Sequence, residues 1–204
     1  MNNSFAGAER VKFDLFRRYG LIAAAGDRHL AEFVPGNWYL KDPETVKSWC
    51  FALTPVSYRK EELRIRLEKS KLLYSGEEKF ELKETGEEGV KQIKAILGLQ
   101  DLVTNVNLPN IGQMQGVPLG AVVETNAVFT SDSVKPVAAG KLPDTVNNLV
   151  IRQIYNQETI LKAAIKKDYE LAFSAFVNDP NVSISLTDAR KLFNEMLENT
   201  KAYL

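Results

Sequence analysis

The chain has 204 residues, 45% of them apolar, and its 26 basic side chains are matched by 26 acidic ones. That size and balance suit a soluble globular protein of one domain or two small ones, and the lack of a basic excess argues against a general nucleic-acid partner. The apolar runs, such as Leu21 to Ala25 and Ala121 to Val123, fall far short of the roughly 20 residues of a membrane span, so no membrane partner is expected either. The polar start from Met1 to Gly7 lacks the basic and apolar regions of a secretory signal. A cytoplasmic setting follows as the expectation, in keeping with a single cysteine, Cys50. Its place between Trp49 and Phe51 predicts a packed small hydrophobe rather than a reactive thiol.

From Glu9 to Tyr19, Val11, Leu15, Phe16 and Tyr19 recur at helical spacing, and Gly20 supplies a stop. A small apolar stretch then runs into Gly26-Asp27-Arg28-His29, where a tight turn would deliver three polar side chains together before a short helix from Leu30 to Val34. After an aromatic loop at Asn37, Trp38 and Tyr39, the Asp42-Pro43-Glu44 sequence opens a helix through Phe51. Ser57 to Tyr74 reads as a long helix with Leu63, Leu67 and Leu72 or Leu73 as its apolar stripe and Glu61/Arg64 and Glu62/Arg66 as surface pairs. A polar connection leads to a helix from Gly89 to Leu97.

Leu102 to Leu108 alternates like a half-buried strand, Ala121 to Thr125 reads as a second, and Val134 to Ala138 suits a third. Between the first two lies a shaped loop rich in proline and glycine. Asp144 to Val177 carries a long apolar stripe (Val146, Val150, Ile154, Leu161, Ile165, Ala172, Phe176) with a break near Gln157. Thr187 then caps a last helix with Leu192, Phe193, Met196 and Leu197 inward. The order of elements predicts a mainly helical α+β architecture with a small group of strands.

Two patches carry a resemblance. The stretch from Val11 to Gly20 (VKFDLFRRYG), continued by Gly26 to Pro35 (GDRHLAEFVP), resembles the region that follows the nucleotide domain in family 4 glycoside hydrolases. Asn105 to Gly112 (NVNLPNIG) and Leu119 to Glu124 (LGAVVE) resemble that family's later asparagine/proline/glycine segment and strand. The resemblance implies that residues 1–204 form the family's C-terminal substrate domain, of the lactate/malate dehydrogenase C-terminal-like kind. The alanine-rich run from Ala23 to Phe33 looks most like members acting on α-galacturonides.

Family 4 enzymes stand apart from two-carboxylate glycosidases in depending on NAD. The resemblance implies oxidation of the sugar at C3 with NAD as hydride acceptor, a divalent metal, usually Mn2+, to polarise the resulting carbonyl, abstraction of the acidified C2 proton, then elimination and addition of water. Asp27 matches the aspartate that the family places near metal and substrate, and it equally suits a cap of the following helix. Arg28 could hold a carboxylate or phosphate, or pair with Glu32; His29 could bind substrate or lie at the surface. Asn107 and Asn110 could contact sugar hydroxyls, or stabilise the loop.

The glycine-rich dinucleotide fingerprint does not occur in the sequence, no tyrosine stands between Asn2 and Ala8 to match the family's catalytic one, and neither Cys50 nor His29 fits the family's metal ligands. This chain is therefore expected to lack the NAD-binding half, to hold neither NAD nor Mn2+ tightly alone, to have little activity alone, and to need a separate N-terminal half as partner. Association into dimers or tetramers is also what the family implies. The alternative is a non-catalytic remnant that serves as an interaction or sugar-binding domain.

Overall fold

The computed structural model describes residues 8–83 and 86–203, and the start at residues 1–7 lies outside them. The chain divides into two compact units: residues 1–52 with 142–204, and residues 53–141.

The first unit is helical. Helix α1 (Arg10–Tyr19) buries Val11 and Leu15 and ends where Gly20 adopts φ 72°, its amide bonded to the Phe16 carbonyl. Helices α2 (Asp27–Glu32) and α3 (Pro43–Ser48) follow. The Asp42 carboxylate accepts from the Thr45 amide at 2.7 Å, the local cap anticipated from the sequence. Val11, Leu15, Ala31, Val34, Tyr39 and Phe51 form one core, with Trp49 and Leu149 packed against it.

Cys50 departs from expectation. It is exposed with φ 58°, a left-handed turn that lets Phe51 reach the core while the thiol faces out. The close fit of the loop after α2 is sharper at Gly36, where an added Cβ would stand 3.1 Å from the Asn181 Cα. Gly36→Ala should therefore destabilise the unit by about 1–3 kcal/mol through overpacking against backbone, read as a lower urea midpoint. An unchanged midpoint would mean that this contact yields freely.

Helices α4 (Val56–Ser75) and α5 (Gly89–Ile96) belong to the second unit, with strands β1 (Leu102–Pro109), β2 (Met114–Gln115), β3 (Val122–Phe129), β4 (Val134–Pro136) and β5 (Gly140–Lys141). The antiparallel sheet has the order β1-β3-β4, with Asn107 opposite Glu124 and Leu102 opposite Phe129; β2 and β5 pair in parallel. Side chains alternate across the sheet, so Ala127 and Phe129 join Ala95 of α5 in a core. Helix α4 makes its ion pairs Glu61–Arg64 and Glu62–Arg66, but Leu63 and Leu67 are exposed and no residue of the helix is buried.

The last helices return to the first unit. Helix α6 (Asp144–Lys166) gives way to α7 (Tyr169–Val177) at Lys167, φ 54°, ten residues beyond the expected break at Gln157. There the Asp168 carboxylate caps α7 through the Leu171 amide. Leu161 and Ile165 face outward, unlike the predicted stripe. Helix α8 (Leu186–Thr200) is capped by Ser185 rather than Thr187, and it buries Phe193 against Phe173 while Leu192 and Met196 stay exposed. Among the described residues no helix is long and apolar enough to cross a membrane.

Candidate functional site

The Gly26-Asp27-Arg28-His29 segment is not a turn but the start of α2, with Gly26 extended as the N-cap. Successive helical residues point about 100° apart, which separates the three side chains instead of gathering them. Asp27 is 3% exposed, Arg28 half-buried and His29 exposed. The imidazole Nδ1 of His29 lies 3.6 Å from the Glu32 carboxylate, the acid that the sequence also offered to Arg28.

Asp27 does not cap its own helix. Its Oδ1 accepts from the Lys12 amide at 3.0 Å, in the first turn of α1. Helix α1 needs that help because its own N-cap, Glu9, sits at φ 53° and makes no side-chain cap. A carboxylate at this end also meets the positive end of the helix dipole, a favourable setting for a buried anion. The Glu9 carboxylate instead pairs with the Lys12 ammonium at 2.7 Å.

The second carboxylate oxygen of Asp27 is the informative atom. Oδ2 is buried and has no hydrogen-bond partner among the described residues. A buried, unpartnered polar atom costs about 1–3 kcal/mol, and more when charged, so a water, an ion or a ligand group is expected at this oxygen. One oxygen is anchored to backbone and the other is buried without a protein partner among the described residues.

The two asparagines belong to the other unit. Asn107 is exposed on β1. Asn110 is 1% exposed, and its side-chain amide is committed within the loop: Nδ2 donates to the Met114 and Val117 carbonyls at 3.0 and 2.8 Å, while Oδ1 accepts from the Gly112 and Met114 amides.

A further charged cluster was not singled out from the sequence. The buried Tyr39 hydroxyl donates to Asp14 Oδ2 at 2.6 Å, Arg18 Nε donates to the same oxygen at 2.9 Å, and the Arg18 guanidinium lies over the Trp38 ring. Burial pushes the Asp14 carboxyl up, but the bonds from Tyr39 and Arg18 and the charges of Arg18 and Arg17 outweigh it and leave the group below its ordinary value. Only the Asp14/Arg18 spacing of four residues was a visible sign.

The fit of a metal can be judged from the donor set. Among the described residues no three His, Cys, Asp or Glu side chains converge to hold an ion, so Asp27 could offer one oxygen but not a site.

Residues 1–182 match the C-terminal domain of family 4 glycosyl hydrolases, and the chain belongs to that family. It is 76% identical over its whole length to an α-galacturonidase of Thermoanaerobacterium saccharolyticum, covering 44% of that protein. It is 50% identical, with a TM-score of 0.88, to the crystal structure of a Bacillus subtilis protein described as a glucosidase, lplD, over 96% of this chain and 44% of that one. A 6-phospho-α-glucosidase from gut microorganisms, solved with NAD and Mn2+, shares the fold at 21% identity and a TM-score of 0.61, over 81% of this chain and 38% of that chain. The chain thus spans under half the length of the relatives it matches.

Proposed function

We propose that this chain supplies the substrate-holding part of an α-galacturonidase, with residues 1–204 acting as its C-terminal domain. The observation that carries the reading is the Asp27 carboxylate, fixed through Oδ1 to the Lys12 amide and buried without a partner among the described residues at Oδ2. The identity to an α-galacturonidase supports the choice of substrate.

In this reading a sugar hydroxyl donates to Oδ2, and the carboxylate accepts that proton as the adjoining carbon is oxidised. The rigid anchor holds the base in place, and burial keeps competing water away. Arg28, half-buried on the next helical position, is the residue of this segment offered to the uronate carboxylate. Asn110 serves the reading by shaping its loop. NAD and Mn2+ supply the redox and Lewis-acid chemistry when bound, held mainly by the part of the relatives that this chain does not match. The assembled protein is a homo-oligomer in this reading, and the chain alone has little activity.

The test is hydrolysis of aryl α-galacturonides with NAD and Mn2+ under reducing conditions, by this chain with and without the N-terminal half of a relative. Activity should require both halves, and Asp27→Ala should lower kcat/KM by about 10²–10⁴-fold, the usual weight of a general base. A folded, assembled Asp27→Ala protein that keeps full activity would remove Asp27 from the reaction. No activity in any folded combination would favour a binding domain.

A further inference from the structure

A recess of about 560 Å³ opens along α1, lined by Ala8, Arg10, Phe13, Asp14, Arg17 and Trp49, among others. Arg10, Phe13, Asp14 and Arg17 fall at helical spacings of three, four and seven, so they share one face of α1, apart from the Val11/Leu15 face that enters the core. The volume is that of a small-ligand site.

Its charge is not self-cancelling. Asp14, the recess's own acid, is engaged by Arg18 and the Tyr39 hydroxyl. Arg10 is held in place by its bond to the Ser48 carbonyl at 3.1 Å. Arg17 makes no hydrogen bond or close ion pair among the described residues, though its charge is felt by Asp14. Two arginines thus share the lining of the recess with Phe13, which is 53% exposed, and Trp49.

Planar forks that can take a carboxylate in pairs, beside aromatic faces that can take the C–H face of a ring, fit a pyranose bearing a carboxylate. We propose that this recess binds a uronic acid, as a site additional to the one at Asp27. The choice of galacturonate as that acid rests on the function proposed above; the preference for a carboxylated over a neutral sugar does not.

The experiment is a calorimetric titration of the full chain with D-galacturonate, with galactose as the neutral sugar and acetate as the anion without a ring. Galacturonate should bind more tightly than either, weaken with added salt, lose about tenfold or more in Arg17→Ala, and persist in Asp27→Asn. Arg17 is exposed, and circular dichroism of its variant checks that the fold is kept. The proposal is overturned if the folded chain binds no galacturonate, if Arg17→Ala binds it unchanged, or if galactose or acetate binds equally well. Loss of binding in Asp27→Asn, with Arg17→Ala unchanged, would place the uronate at Asp27 instead. Failure of the two-half hydrolysis assay leaves this titration untouched, so the two readings fall separately.

Discussion

Tyr39→Ala should destabilise the helical unit by about 3–5 kcal/mol, the cost of deleting a large aromatic from a packed core. Tyr39 is 1% exposed, packs edge-on against Trp49 with ring centroids 4.9 Å apart, and lies among Val11, Leu15, Ala31 and Val34. Tyr39→Phe separates the ring from its hydroxyl: it keeps the packing and removes the 2.6 Å bond to Asp14, a loss of about 1–3 kcal/mol at neutral pH for a bond to a charged group. The difference should shrink in acid. Asp14 titrates below its ordinary 3.8 in the folded chain, so its contribution is complete above the unfolded value and is lost as pH falls through the depressed folded one. Phenylalanine removes one cause of that depression, leaving less to lose. The alkaline side has the opposite sign. Burial first, and then the bond to Asp14, push the Tyr39 hydroxyl well above 10, so its contribution is complete below the unfolded value and declines as pH rises toward the folded one. Urea midpoints of both proteins at pH 7 and pH 3 test this. A wild-type advantage equally large at both values would show that the hydroxyl contributes without linkage to Asp14.

What the sequence made legible was local. The Asp42 cap and the Glu61–Arg64 pair lie within one turn, and the alternation of β1 spans eight consecutive residues. The Asp27 motif was visible, but its role was not: the amide it caps belongs to Lys12, fifteen residues away on another helix. The same holds for Tyr39 and Asp14, separated by 25 residues. Helix α4 failed differently. Spacing of Leu63 and Leu67 records that they share a face, not that anything covers it. Strands β2 and β5, two residues each, are too short to show any period. Cys50 follows from one left-handed residue, and a cysteine gives no composition signal for such a turn.

Asn110→Ala should cost about 2–4 kcal/mol, although it deletes only a small polar side chain. The loop from Asn110 to Ala121 has little regular structure, and several of its part-buried backbone groups find hydrogen-bond partners in side chains rather than in ladders. One amide side chain answers four of these bonds, to the Gly112 and Met114 amides and the Met114 and Val117 carbonyls. Gln113 braces the same turn from its other side by accepting from the Ile111 amide and donating to the Pro109 carbonyl. Each orphaned buried group costs about 1–3 kcal/mol, reduced by relaxation and water entry. Asn110→Asp supplies the discriminating comparison, because a carboxylate keeps the two acceptor bonds while losing the two donor bonds. At neutral pH its anionic oxygen faces the Met114 and Val117 carbonyls, so its urea midpoint should fall to that of alanine or below and recover in acid, where the protonated carboxyl can donate again. Asn107→Ala, on an exposed strand position, should leave the midpoint within about 0.5 kcal/mol. If Asn110→Ala instead unfolds no sooner than wild type yet loses sugar binding, the brace is dispensable, and Asn110 acts on the ligand directly.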